Sequence, residues 1–308
     1  MTPHQILWIT FFIMLGTALA CDLWFNRHYE IIPFKVALVW TGIWLLLALS
    51  FAGMTHQLLG PERGFEFLTG YIIEQSLSVD NLFVFIMIFS YFGVQERFQT
   101  RVLKWGILGA VVLRLLFIVV GSALIEQFQW LFYIFGIILL YTAWKMAFGE
   151  DDEVELDKNP LVKVMRRILP MTKQIRGNWF FTKRQGIWIA SPLCMVLVVI
   201  ESSDLIFALD SIPAIFAITL DPMIVLTSNI FAILGLRSLF FLLTKVVTMF
   251  AHLKYGIALI LMFVGIKMIL IMHEIHIPIL VSLSFILLTL VVTVMTSLMF
   301  ASEEQPEI

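Results

Sequence analysis

Glu201-Ser202-Ser203-Asp204-Leu205-Ile206-Phe207-Ala208-Leu209-Asp210-Ser211-Ile212-Pro213 places three acids inside the apolar run Ile187–Ala217. A second stretch, Gly70-Tyr71-Ile72-Ile73-Glu74-Gln75-Ser76-Leu77-Ser78-Val79-Asp80-Asn81, places two more inside the run Phe65–Phe92. Runs of about 20 mostly apolar residues read as membrane spans. A charge facing lipid in such a run costs about 2.5–3.5 kcal/mol on insertion scales. These acids must therefore pair, line a water-filled cavity or bind ions. The remaining candidate spans are Ile6–Phe25, Phe34–Gly53, Val102–Leu124, Leu131–Phe148, Met223–Val247, Tyr255–Met272 and Ile277–Phe300. They lack the strict alternation of a membrane β-barrel. Composition agrees. Of 308 residues, 60% are hydrophobic and 14% charged, against a usual ~45–50% and about 25%. A soluble enzyme or a disordered chain is excluded, and a net charge of −2 excludes a nucleic-acid binder. Cys21 and Cys194 lie in apolar stretches and read as small hydrophobes, with no disulfide scaffold. The expected fold is an all-α polytopic membrane protein with about nine transmembrane helices.

The intramembrane charges repeat. Glu74 and Asp80 are six apart in the third span, and Asp204 and Asp210 are six apart in the sixth. Arg114 and Arg237 follow in the fourth and seventh, Lys145 and Lys267 in the fifth and eighth. The predicted organisation is two N-terminal spans in residues 1–64 and a first three-helix unit in 65–148. A cytoplasmic loop in 149–186 precedes a second three-helix unit in 187–273. Residues 274–308 hold the last span and a short acidic tail. An odd number of spans per unit forces opposite orientations, so the repeat is inverted. That architecture puts a substrate site near the bilayer midplane at the repeat interface.

Basic residues set the orientation. Alternate connections collect almost all the Lys and Arg outside the spans, and the opposite set holds only Arg63. Positive residues stay inside, which predicts an external N-terminus and an internal C-terminus. The first 26 residues carry no Lys or Arg, so the first span is expected to be retained rather than cleaved. The cytoplasmic loop opens with the acidic run Glu150–Asp157 and continues as a basic amphipathic stretch after Pro160, suited to lie on an anionic inner leaflet.

The chemistry of the spans is that of oxygen donors. Glu74, Asp80, Asp204 and Asp210 are the expected core metal ligands, with Glu201 nearby and Asn81 and Ser211 in support. Without thiolate or imidazole, such a set suits Mn²⁺, Mg²⁺ or Ca²⁺ rather than Zn²⁺ or Cu⁺. Converging carboxylates repel one another unless a dication or a protein cation offsets them. Arg114 and Arg237, with Lys145 and Lys267, are the expected counter-charges; snorkelling is the alternative for Lys145. Asp22, near the inner end of the first span, reads as an exposed end residue. Pro213 cannot donate to the carbonyl of Leu209, and a local distortion is expected there.

The two acidic stretches resemble the signatures of the TerC family of integral membrane proteins. The likeness runs from about Phe65 to Met272, and the Asn229–Arg237 and Phe180-Phe181 stretches bring it nearest the Alx-like branch. That resemblance implies divalent-metal handling. Alx-like members are associated with alkaline-responsive manganese export, others with tellurite resistance, metalation of secreted enzymes or thylakoid assembly. The expectation is a bacterial inner-membrane exporter of Mn²⁺, with the metal as transported substrate and no tightly bound cofactor. Its partners would be the divalent ion and the lipid bilayer, with no nucleic acid. It is not expected to be an enzyme, because no nucleophile–base pair or phosphate loop is present. The alternatives are a transporter of another cation such as Ca²⁺, or an assembly or metalation scaffold that transports nothing.

Overall fold

The structure, a computed structural model, describes residues 2–25, 32–128, 130–148, 179–184, 187–244, 253–275 and 277–301. The acidic run and amphipathic stretch expected at 150–178 lie outside the described residues. Among those described there are nine helices and one short hairpin. The helices are α1 (Pro3–Phe25), α2 (Phe34–Leu59), α3 (Pro61–Tyr91), α4 (Glu96–Gln127), α5 (Leu131–Phe148), α6 (Pro192–Phe216), α7 (Pro222–Leu243), α8 (Leu253–Ile271) and α9 (Ile279–Ala301). They fall on the nine predicted runs. Eight of them are long and apolar enough to cross a membrane. The ninth, α6, has 25 residues and carries the second acidic stretch.

Helix starts follow from sequence. Pro61, Pro192 and Pro222 each stand in the first turn of a helix, where a missing N–H costs nothing. Gly60, at φ +98°, separates α2 from α3; this is a conformation that side-chain-bearing residues rarely adopt. Asp221 caps α7 by accepting from the Met223 amide at 3.0 Å. Arg63, expected in a connection, falls in the first turn of α3.

Two expectations are corrected. Ile187–Ala190, read as the start of the sixth span, is strand β2, paired antiparallel with β1 (Phe181–Arg184) in the register Phe181↔Ala190 to Arg184↔Ile187. The residue before a proline is biased to extended backbone, so Ser191 is extended and α6 starts only at Pro192. The distortion expected at Pro213 does not interrupt the helix: α6 runs unbroken through it to Phe216. Pro213 has no N–H to give the Leu209 carbonyl, yet the helix continues through its last turn, where Ala217 N–H donates to Pro213 O at 3.1 Å.

The outer helices divide into a lipid stripe and an inner stripe. On α4, Leu108, Val112, Leu116 and Val119 are exposed, whereas Ala110, Arg114 and Ile118 are buried. The spacing is that of opposite faces of one helix. On α5, Ile137, Tyr141 and Trp144 face outward, while Phe132, Gly136, Leu139 and Ala143 turn to α8. There the backbones approach so closely that a Cβ on Gly136 would stand 3.0 Å from the Gly265 carbonyl, and the reverse distance is the same. Small residues allow such crossings where no water drives association.

α7 is the most enclosed helix, with 89% of its span window buried. It packs on α3, α2 and α4; α3 also meets α6, and α4 meets α6. α1 and α9 lie at the periphery, α1 on α2 and α7, α9 on α3 and α8.

Candidate functional site

The buried centre is built on α3, α4, α6 and α7. Arg114 of α4 is 1% exposed, Glu74 of α3 1% and Asp204 of α6 2%. The Arg114 guanidinium forms an ion pair with Glu74 through Nη1. Its Nη2 donates to Asp204 Oδ1 at 3.3 Å, and Nη1 donates to Asn229 Oδ1 of α7 at 3.2 Å. One cation therefore bridges an acid of α3 to an acid of α6. The planar fork of Arg suits it to that bridging role. Buried charges are tolerated only when paired in this way.

The second oxygens of the paired acids, Glu74 Oε2 and Asp204 Oδ2, have no hydrogen-bond partner although fully buried, and neither have Ser78 Oγ on α3 and Ser211 Oγ on α6. Orphaned buried oxygens are costly in a protein interior and are what a hard cation would recruit. Other hydroxyls are committed elsewhere. Ser76 donates to Ile72 O, and Ser202 and Ser203 both donate to Val199 O.

Asp80 lies in α3 and Asp210 in α6, each six residues beyond Glu74 and Asp204; their side chains lie outside the described residues. Asn81 and Ser211 are buried. Glu201 is partly buried against Gly109 of α4, whose missing Cβ leaves the room its carboxylate fills. Among the described residues, no three His, Cys, Asp or Glu side chains form a group that could hold a metal. In this arrangement it is the Arg114 guanidinium that joins the acids of α3 and α6.

The remaining cations separate from this centre. Arg237, expected to balance the same acids, instead pairs through Nη2 with Asp22 of α1. Asp22 is 6% exposed, so the exposed end residue read from the sequence is a buried partner. Lys267 of α8 is buried and donates to Ser282 Oγ of α9 at 3.0 Å. Lys145 stands exposed in the last turn of α5, the place a snorkelling lysine takes. Asn229 was not among the expected site residues. Its signal was the polar triplet Thr227-Ser228-Asn229 within an otherwise apolar span.

A nine-helix membrane bundle with paired acids in its core defines a class, and comparison with known proteins gives the family. The chain belongs to the Integral membrane protein TerC family, which matches residues 59–305. It is 48% identical over 298 residues to the Alx protein of Escherichia coli (strain K12), provisionally named a membrane-bound redox modulator, covering 94% of this chain and 92% of that one. It is 48% identical to the membrane protein STKORF319 of Myxococcus xanthus, covering 85% and 82%. It is 46% identical to the chloroplastic thylakoid membrane protein TERC of Arabidopsis thaliana, covering 78% and 62%. No solved structure matches the chain.

Proposed function

We propose that this protein exports a divalent cation, Mn²⁺ foremost, across the bacterial inner membrane by alternating access between two inverted three-helix units. The observation that carries the reading is the Arg114 bridge between Glu74 and Asp204, whose second oxygens are buried and unpartnered. A guanidinium neutralises the acids of the empty centre, and an arriving dication takes its place. Glu74, Asp80, Asp204 and Asp210 are the ligands in this reading, with Asn81, Ser211 and Glu201 in support. Helix packing supports the inversion: α3 lies on α7 and α4 on α6, while α5 lies on α8. Exchanging the units, α3 for α6, α4 for α7 and α5 for α8, leaves that set of contacts unchanged.

The N-terminus is outside and the C-terminus inside. Moving a dication outward against ~150 mV costs about 7 kcal/mol, equivalent to a gradient of about 10⁵. Export is therefore coupled to the inward movement of two or more protons, for which buried carboxylates are suitable carriers. The protein catalyses no covalent chemistry in this reading.

The test is uptake by purified protein in liposomes of Mn²⁺, Ca²⁺, Mg²⁺ and Zn²⁺, with and without a pH gradient. Mn²⁺ flux that grows with the gradient is expected. No flux of any metal would contradict transport and return weight to a scaffold role or to the redox role in the Alx name.

A further inference from the structure

A cavity of 820 Å³ opens at the end of the bundle that carries His4 and Trp8 of α1. Arg63 and Glu66 of α3, Phe216 of α6, Thr219 of the α6–α7 connection and Met223 of α7 line it. Arg63 Nη1 donates to Glu66 Oε2 at 2.8 Å and to Thr219 Oγ1 at 3.3 Å, tying the start of α3 to that connection. The central site uses none of these residues.

Three helices lead from this cavity to the buried centre in the same order. On α3, Glu66, Gly70 and Glu74 follow at four-residue spacing, on one face over about 12 Å. On α6 the order is Phe216, Ile215, then Ser211 and Asp204. On α7 it is Met223, Ser228, Asn229. The middle member of each series meets the others: a Cβ on Gly70 would stand 2.6 Å from Ile215 Cδ1 and 3.1 Å from Ser228 Oγ. The Gly70–Ile215–Ser228 layer thus lies between the cavity and Glu74. On the other side of the centre, α3, α6 and α7 are closed by several turns of packed apolar residues, including Leu82, Phe85 and Phe89, Val196 and Val199, and Ile233 and Phe240.

We propose that this cavity is the exit vestibule for the transported divalent cation, and that the Gly70–Ile215–Ser228 contact is its gate. The inference rests on the transport reading and adds the route and the side. The structure is then an occluded state, closed at this layer toward the N-terminal end and by those apolar turns toward the opposite end. Gly70 helps the gate close, because its missing side chain leaves room for the tip of Ile215 and the Ser228 hydroxyl against the face of α3. Arg63 holds Glu66, the first carboxylate a departing cation meets.

The test uses the full chain in oriented vesicles, in a Cys21→Ala, Cys194→Ala background, with a membrane-impermeant thiol reagent. Leu220→Cys, exposed at the cavity wall, should react from the N-terminal side without metal, and its modification should block Mn²⁺ flux. Ser228→Cys should be protected in the metal-free protein and react faster by about tenfold or more during Mn²⁺ turnover, one decade in the opening equilibrium. Ile215→Cys gives a second reading of the same layer should Ser228→Cys fail to fold. Ser228→Cys as reactive as Leu220→Cys at rest, Leu220→Cys modified with flux unchanged, or gate residues reached first from the opposite side would each overturn the assignment. A cysteine-free parent that carries no metal overturns the transport reading beneath it; a parent that transports with the wrong access pattern overturns the vestibule alone.

Discussion

Arg114 is a cation tethered among oxygens, and its consequences are local and measurable. Removing it leaves Glu74 and Asp204, both nearly inaccessible, with no compensating charge. Breaking a buried pair in this way costs about 3–5 kcal/mol. Arg114→Ala should therefore lower the thermal stability of the metal-free protein sharply, and Mn²⁺ should restore more stability to it than to wild type. Equal loss with and without metal would remove the counter-charge role. Arg114→Lys should recover only part, because an ammonium lacks the fork that reaches Glu74, Asp204 and Asn229 together. Asp22→Asn is the contrasting case. It unpairs Arg237 at a different place, so stability should fall while the gain on adding Mn²⁺ stays as in wild type. An altered response to Mn²⁺ would connect Asp22 to the centre.

Among the elements, the α5–α8 crossing brings two backbones together at Gly136 and Gly265. Gly136→Leu or Gly265→Leu would drive a side chain into the opposing backbone, and overpacking of this kind costs about 1–3 kcal/mol. Gly16→Ala, on α1 with nothing within 4 Å of the added carbon, should be neutral or stabilising, since Ala is the better helix former by about 1 kcal/mol. Thermal unfolding in detergent compares the two, and a Gly16→Ala loss as large as Gly136→Leu would contradict the packing. The helices themselves were legible because long apolar runs admit one solution in a bilayer. So were Glu74, Asp204 and Arg114, since a charge in such a run stands out. The Asp22–Arg237 pair was not: 215 positions separate its members, and no local pattern links them. The unbroken course of α6 through Pro213 was not either, because its position three residues before the helix end, rather than its identity, sets the cost. The hairpin escaped because four apolar residues leading into an apolar helix carry no period of their own.

At the scale of the molecule, α3 and α6 bring their acids to one buried centre on Arg114. Carboxylate ligands must be deprotonated to hold metal, so binding releases protons. Apparent Mn²⁺ affinity should fall as pH drops, and efflux should quicken when the outside is the more acidic. Binding that is flat across the acid range would contradict shared oxygens. The most direct measurement is Mn²⁺ flux from liposomes at clamped voltage and fixed pH gradient, comparing wild type with Glu74→Gln and Asp204→Asn. Each substitution preserves size and takes one acid from one of these helices. The account predicts flux in wild type and its loss in both variants, with each variant still inserted and folded. Wild-type flux in either folded variant would contradict the claim that a cation crosses the membrane on acids from both helices.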